Sequence, residues 1–103
     1  MSFLTALFAG MFLFNAIPHL IKGIAGDTHM TPFKRVSSPI CNVLWSFTNL
    51  VFVVLILGFD ARGALNVPQG TNFWVFLLGG LLLSLACAQL FAGPNARLPW
   101  HKE

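Results

Sequence analysis

Three long stretches of the chain, residues 3–21, 40–59 and 73–92, contain no Asp, Glu, Lys or Arg. Each is close to the roughly 20 residues that a helix needs to cross about 30 Å of hydrocarbon. Of the 103 residues, 56% are hydrophobic and only 9% are charged, whereas a soluble domain carries about 25% charged residues. A chain this short has nothing left with which to bury three such helices. The sequence therefore predicts an all-α integral membrane protein with three transmembrane helices, forming a single membrane domain over residues 1–103.

The first apolar stretch has a second interpretation, a cleaved secretory signal peptide. Residues 1–12 contain no Lys or Arg, so the positive n-region of a signal peptide is missing. The stretch is also longer than an apolar h-region of about 7–15 residues. We therefore expect it to remain as a span. Both cysteines, Cys41 and Cys87, fall within predicted spans, so a disulfide framework is not indicated.

Lys and Arg residues are distributed unevenly between the segments outside the spans. Loop 22–39 and the tail 93–103 together carry five of them, including Lys102, and loop 60–72 carries one. With three spans, loop 22–39 and the tail lie on the same side of the membrane. Because cytoplasmic loops carry the excess of Lys and Arg, we expect the N-terminus and loop 60–72 outside and the C-terminus in the cytoplasm. A net charge of +3, scattered in this way, does not indicate a nucleic-acid surface.

Capping signals support two of these boundaries. Ser38 followed by Pro39 is typical of an N-cap and the first residue of a helix, where the missing N–H of proline costs nothing. Thr71 or Asn72 is expected to cap the third span.

The stretch 30–36, MTPFKRV, mixes apolar residues with two cations. We expect it to lie along the inner headgroup surface, with Phe33 inserted and Lys34 and Arg35 in contact with lipid phosphates. The alternative is a plain linker.

Four hydrogen-bonding side chains in the second span fall on one helical face, because their spacings are 3, 1 and 3 residues. They are Asn42, Trp45, Ser46 and Asn49. An unpaired amide in hydrocarbon costs several kcal/mol, so this face is not expected to point at lipid.

The end of the first span carries the polar groups that this face is expected to meet, Asn15 and His19, one turn apart. Pro18 lacks an N–H, so the carbonyl of Phe14 loses its helical donor. We expect a side-chain amide of Asn15, Asn42 or Asn49 to replace that donor. The assembled patch has two interpretations: interhelical hydrogen bonds that fix a helix pair, or a polar pocket that opens to the cytoplasm and contains one titratable imidazole.

The third span has a different pattern, with small residues every four positions at Gly80, Ser84 and Ala88. Such a stripe lets another helix approach closely. A shorter stripe in the first span consists of Ser2, Ala6 and Gly10. We expect the stripe of the third span to form a packing face for a second copy or for another membrane protein.

Nothing in the sequence indicates a catalytic site, a metal or another cofactor. No carboxylate lies within a span, and no nucleophile lies beside an obvious base. His19, His29, Cys41 and Cys87 are conceivable metal ligands by position, but they lack a metal-binding spacing such as C-x-x-C. We therefore expect no catalytic residues, no metal and no cofactor, although the sequence does not decide whether the protein is an enzyme.

The string NAIPHLIKGIAG, together with NVLWSFTNL further on, resembles small bacterial inner-membrane proteins of unassigned function. These carry an Asn-x-x-Pro-His stretch at the end of the first span and an Asn-x-x-Trp stretch at the start of the second. The resemblance covers residues 14–50 and implies a multi-pass protein of the bacterial cell membrane. It also implies that His19, Asn42 and Trp45 belong together.

Two functions are compatible with these features. The first is association through helices, either as a homo-oligomer or as an accessory subunit of a larger membrane complex. The second is binding or transport of a small molecule or lipid through the polar patch. In either case membrane lipids are expected partners and nucleic acids are not.

Overall fold

The computed structural model describes residues 1–94 and 96–101, so the predicted cytoplasmic cation Lys102 lies outside the described residues. Three helices, α1 (Phe3–Ile24), α2 (Pro39–Leu57) and α3 (Thr71–Phe91), account for most of the chain. They have 22, 19 and 21 residues, which corresponds to lengths of about 33, 29 and 32 Å. The prediction of three helices long and apolar enough to span a membrane is confirmed, and no strand is found in the described residues.

The helix ends follow local capping chemistry. The hydroxyl of Ser38 accepts a hydrogen bond from the Cys41 N–H, with Pro39 as the first helical residue, as predicted. At the start of α3 the prediction of a Thr71 or Asn72 cap is wrong. Gly70 occupies the N-cap position there and has no side chain to accept a hydrogen bond. The helix instead begins with backbone bonds such as Phe73 N–H to the Gly70 carbonyl.

Helix α1 is the centre of the bundle and packs against both other helices. Among the residues that the structure describes, no Cα atom of α2 lies within 8 Å of a Cα atom of α3. Helix α1 is therefore the only one of the three described helices whose backbone lies close to both of the others.

Burial is inverted with respect to a soluble domain. The largest fully buried side chains are all polar: Asn42, Asn49, Thr31, Ser37 and Ser46. The buried apolar residues of the helices are mostly small, such as Ala6, Ala9 and Ala16, while large apolar side chains cover the outside. This arrangement is suited to a surrounding solvent of lipid, in which apolar side chains gain nothing by turning inward.

Helices α1 and α3 approach each other closely at glycine residues. A Cβ at Gly10 would collide with the Phe76 carbonyl oxygen, and a Cβ at Gly79 would collide with the Leu7 carbonyl oxygen. Gly80 faces the ring of Phe14 in the same way. The backbones of α1 and α3 can therefore lie at this distance only because these positions lack a side chain.

We predict that Gly10→Ala and Gly79→Ala each lower the free energy of unfolding by about 1–3 kcal/mol, the usual cost of overpacking a filled interface. Gly93→Ala is the matched control, because a Cβ there meets no atom within 4 Å. Unfolding in mixed detergent micelles, followed by circular dichroism, measures the difference. Equal stability of all three variants would contradict the close approach.

A candidate polar seam and cavity

A seam of hydrogen bonds joins α1 to α2. The Asn15 amide donates to the Asn49 side-chain oxygen at 3.0 Å, and the Ser46 hydroxyl donates to the Ala16 carbonyl at 2.9 Å. The Asn49 amide in turn donates to the Trp45 carbonyl at 2.8 Å, within its own helix. The structure thus brings together Asn15, Ser46 and Asn49 from the sequence-predicted patch. These bonds lock one helix to the other.

Asn42 is the hub at the end of the seam and is completely buried. Its side-chain nitrogen lies 3.0–3.2 Å from three backbone carbonyls, those of His29, Ser37 and Ser38. This fixes the amide orientation, so the side-chain oxygen can only accept the 2.8 Å bond with Nδ1 of His19. The proton of that bond therefore sits on His19 Nδ1. One side chain holds α1, α2 and the connection between them.

The expectation about Pro18 is wrong in its detail. The amides of Asn15, Asn42 and Asn49 donate to Asn49, to loop carbonyls and to Trp45 respectively, rather than to the Phe14 carbonyl. The side chain of α2 that reaches the backbone of α1 is the hydroxyl of Ser46, and it reaches Ala16. Spacing along the sequence gives the face of a helix but does not resolve which carbonyl a side chain reaches.

Residues 25–38, here called loop 1, fold back on themselves. His29 and Ser37 exchange backbone hydrogen bonds of 3.3 and 3.2 Å. The hydroxyls of Thr31 and Ser37 lie 2.7 Å apart, and both residues are buried. Loop 1 is therefore an ordered cap over one end of the bundle.

The residues after α3 fasten this cap. The Trp100 indole donates to the Pro32 carbonyl at 2.6 Å, and Nε2 of the buried His101 donates to the Thr31 carbonyl at 2.8 Å. These contacts leave no mark in the sequence, because their acceptors are backbone carbonyls that carry no residue-specific signal. The adjacent indole and imidazole of Trp100 and His101 are the only feature of the tail sequence that indicates such contacts.

The residues predicted to contact lipid headgroups have different environments. Arg35 donates to the carbonyls of Pro94 and Ala96 at 3.0 Å each, so its guanidinium joins loop 1 to the tail. Lys34 is exposed. Phe33 is 66% exposed and packs edge to face on Trp45, with ring centroids 5.4 Å apart.

His29 lies beneath the end of α3, between two other rings. Its centroid is 5.2 Å from that of His19 and 4.7 Å from that of Phe91. Burial lowers the pKa of His29, and the nearby His19 and Lys22 lower it further. The imidazole is therefore favoured in its neutral form at physiological pH, and its Nε2 is buried without a hydrogen-bond partner.

A cavity of about 210 Å³ lies between the helices, next to the seam. Asn15 and His19 of α1 and Trp45 of α2 line it on one side, and most of its lining surface is apolar. Its remaining lining residues come from α3, loop 1 and the tail: Leu83, Ala86, Cys87, Leu90, Phe91, Met30, Thr31, Pro32 and Leu98. Trp45 differs from the other members of the predicted patch because its indole N–H is buried and has no partner.

The predicted small-residue stripe of α3 is divided by the structure. Gly80 is buried against Phe14 of α1, so this part of the stripe packs within the chain. Ser84 and Ala88 are exposed and line a groove of about 340 Å³, whose other wall includes Ile17 and Pro18. Only this second part is open to another helix.

Comparison of the chain with protein-family models, with curated proteins and with solved structures finds no match. Among the described residues, no group of three or more His, Cys, Asp or Glu side chains is placed to hold a metal ion. The site is therefore interpreted from its own geometry.

We predict that Asn42→Leu lowers the free energy of unfolding by about 2–3 kcal/mol, because it leaves the His19 N–H buried without its acceptor. Thr48→Val is the control. It also removes one side-chain hydrogen bond, to the Leu44 carbonyl of its own helix, but at an exposed position, where a change within about 0.5 kcal/mol is expected. Unfolding in mixed micelles measures both variants. Similar values for the two would show that Asn42 is not a hub.

Proposed function

We propose that the chain is a multi-pass membrane protein that binds a small lipid-soluble molecule in the cavity between α2 and α3. The observation that carries this proposal is the cavity itself, which is lined by residues of all three helices, of loop 1 and of the tail, most of them apolar. Concave sites with a mostly apolar lining and a few polar groups are the usual form of small-molecule sites.

The membrane setting is supported by the inverted burial. Large apolar side chains point outward along all three helices: Ile24 of α1 is 72% exposed, Ile40 of α2 is 74% exposed and Leu85 of α3 is 58% exposed. Placing such a surface in water would forgo the main favourable contribution to folding. In the bilayer the same surface faces acyl chains.

The proposed orientation places the N-terminus and the connection between α2 and α3 outside and loop 1 in the cytoplasm. It rests on the distribution of Lys and Arg between the loops. The bacterial cell membrane is proposed as the location because of the sequence resemblance described above.

We predict that Gly63→Cys, in the connection between α2 and α3, reacts with a membrane-impermeant maleimide in intact cells. The variant also carries Cys41→Ser and Cys87→Ser, so that the introduced cysteine is the only thiol in this sequence. Gly63 has a positive φ of 82°, a conformation that side chains other than glycine rarely adopt. Arg62→Cys therefore serves as a second position, because Arg62 is exposed. Lys34→Cys in loop 1 is the matched control and should react only after lysis. The reverse pattern of labelling would overturn the orientation.

The hydrogen-bonded seam does not itself require a ligand. Asn15, Asn42, Ser46 and Asn49 satisfy one another or nearby carbonyls, which is the pattern of an interhelical lock. The binding role is therefore assigned to the adjoining cavity and not to the whole patch.

Association through α3 is the second candidate function. The specific observation in its favour is the groove beside Ser84 and Ala88, which remains exposed within a single chain. Small residues in a membrane helix allow a partner helix to approach closely. A second copy of the chain or another membrane protein would fill this groove.

We predict that Ala86→Leu, which adds volume on the cavity side of α3, reduces the amount of bound lipid-soluble molecules at least tenfold. Ala88→Leu is the matched control on the groove side and should leave binding unchanged. Mass spectrometry of molecules released from protein purified in mild detergent measures binding. Crosslinking in membranes measures association.

The two variants separate the two candidate functions. If association is the role, Ala88→Leu should abolish crosslinked species while Ala86→Leu leaves them intact. If neither variant loses bound molecules, the binding proposal is contradicted.

A further inference from the structure

The cavity beside the seam is bordered by a buried imidazole that has one unused nitrogen. His19 is only 3% exposed, and it lines this cavity. Its Nδ1 lies 2.8 Å from the side-chain oxygen of Asn42, and this is the one hydrogen bond that the ring makes with the described part of the chain. Buried polar atoms are nearly always paired, so the unpaired Nε2 requires a physical explanation.

Nε2 of His19 can be reached from the cavity. The fully buried side-chain atoms that lack a partner among the described residues are Nε2 of His29, Nε1 of Trp45 and Oδ1 of Asn72. Nε2 of His19 also lacks a partner but is not one of these atoms, so it retains accessible surface. Asn15 and Trp45 each border a second groove. His19 lines neither of those grooves, nor the one between α1 and α3, so its accessible nitrogen is assigned to the cavity beside the seam.

Asn42 determines the chemical role of this nitrogen. Because the Asn42 oxygen can only accept, the proton of the neutral His19 ring is on Nδ1, and Nε2 presents a lone pair. The neutral ring is favoured, since a buried charge without a partner is far more costly than a buried neutral group. None of the three helices contains Asp or Glu, and Asp27 of loop 1 is exposed. The cavity therefore offers a hydrogen-bond acceptor and lacks a donor for it.

We propose that the ligand of this cavity is a neutral, largely apolar molecule with a hydroxyl group, which donates a hydrogen bond to Nε2 of His19. The proposal rests on the proposed binding function and adds the chemical class of the ligand. The apolar body follows from the lining of the cavity, most of which is apolar. An ether, an ester or a carboxylate can only accept and would leave Nε2 unpaired. A cationic donor would be buried without a carboxylate partner.

The test compares two isomeric probes, 1-hexanol and 1-methoxypentane, added to the full chain in bicelles of phosphatidylcholine, a lipid without a hydroxyl group. The alcohol can donate a hydrogen bond, whereas the ether can only accept one. The cavity of about 210 Å³ has room for about seven groups of roughly 30 Å³, the volume of a water molecule in the liquid, which suits probes of this size. Changes in the methyl signals of Leu83 and Ala86, which line the cavity, report that a probe is bound.

The first readout is the ¹⁵N signal of Nε2 of His19, in protein labelled at its histidine rings. The chain has three histidines, and His29→Phe and His101→Gln identify the signals of the other two. An imidazole lone pair that accepts a hydrogen bond moves the signal of its nitrogen upfield. The signal should therefore lie upfield with 1-hexanol bound, relative to its position with 1-methoxypentane bound. Comparing two occupied states removes any contribution from water in the empty cavity.

Binding strength gives a second readout, corrected for the partition of each probe into bicelles without protein. One added hydrogen bond should make 1-hexanol bind about fivefold tighter than 1-methoxypentane. His19→Phe should remove this preference while both probes still bind. His29→Phe is the matched control, because it makes the same replacement in a ring 5.2 Å away that does not line this cavity. The control should retain the preference. If His19→Phe does not fold, the ¹⁵N signal of the unaltered chain still decides.

Addition of 1,2-dioleoylglycerol, a lipid with a free hydroxyl group, distinguishes the two sources of the hydroxyl. An upfield position of the Nε2 signal with this lipid alone identifies a bilayer lipid as the ligand. An upfield position only with 1-hexanol identifies a separate small molecule.

The outcomes also separate the two proposals. If neither probe perturbs the methyl signals of Leu83 and Ala86, the cavity does not bind and the proposed function fails. If both probes bind equally and the Nε2 signal of His19 has the same position with either, the binding function stands and the assignment of a hydroxyl ligand is overturned.

Discussion

The fold depends on the pairing of buried polar groups where water is scarce. In the proposed membrane setting, an unsatisfied amide costs several kcal/mol, whereas turning a leucine inward gains almost nothing because the alternative is lipid. The three helices therefore keep amides, hydroxyls and small residues inside and present their large apolar side chains outward. Asn42 is the clearest case, since one completely buried amide contacts three backbone carbonyls and one imidazole.

The polar interior contains two different kinds of group. Those in the seam, such as Asn15 and Ser46, have partners within the chain and need nothing further. Trp45 lies on the same helical face but remains unpaired. This contrast separates the side chains of the patch that join α1 to α2 from the one whose N–H makes no hydrogen bond within the chain.

Much of the helical framework could be predicted from the sequence because it depends on local properties. Uncharged stretches marked the three helices, and Ser38 with Pro39 marked the start of α2. Spacing alone placed Asn42, Ser46 and Asn49 on one face, opposite Asn15 and His19. The attachment of the tail to loop 1 could not be predicted, because it uses the backbone carbonyls of Thr31 and Pro32. A stripe of small residues also does not show whether its packing partner belongs to the same chain. For Gly80 the partner is Phe14 of the same chain.

The central position of α1 has a consequence for biosynthesis. In the proposed membrane setting, α1 is translated before α2 and α3, and both of these later helices contact it. Each newly inserted helix therefore meets a partner already present in the bilayer, and α2 can dock before α3 exists. The tail, which follows α3 in the chain, then closes over loop 1. Assembly can follow the order of synthesis, without a helix having to wait for a neighbour that the ribosome has not yet made.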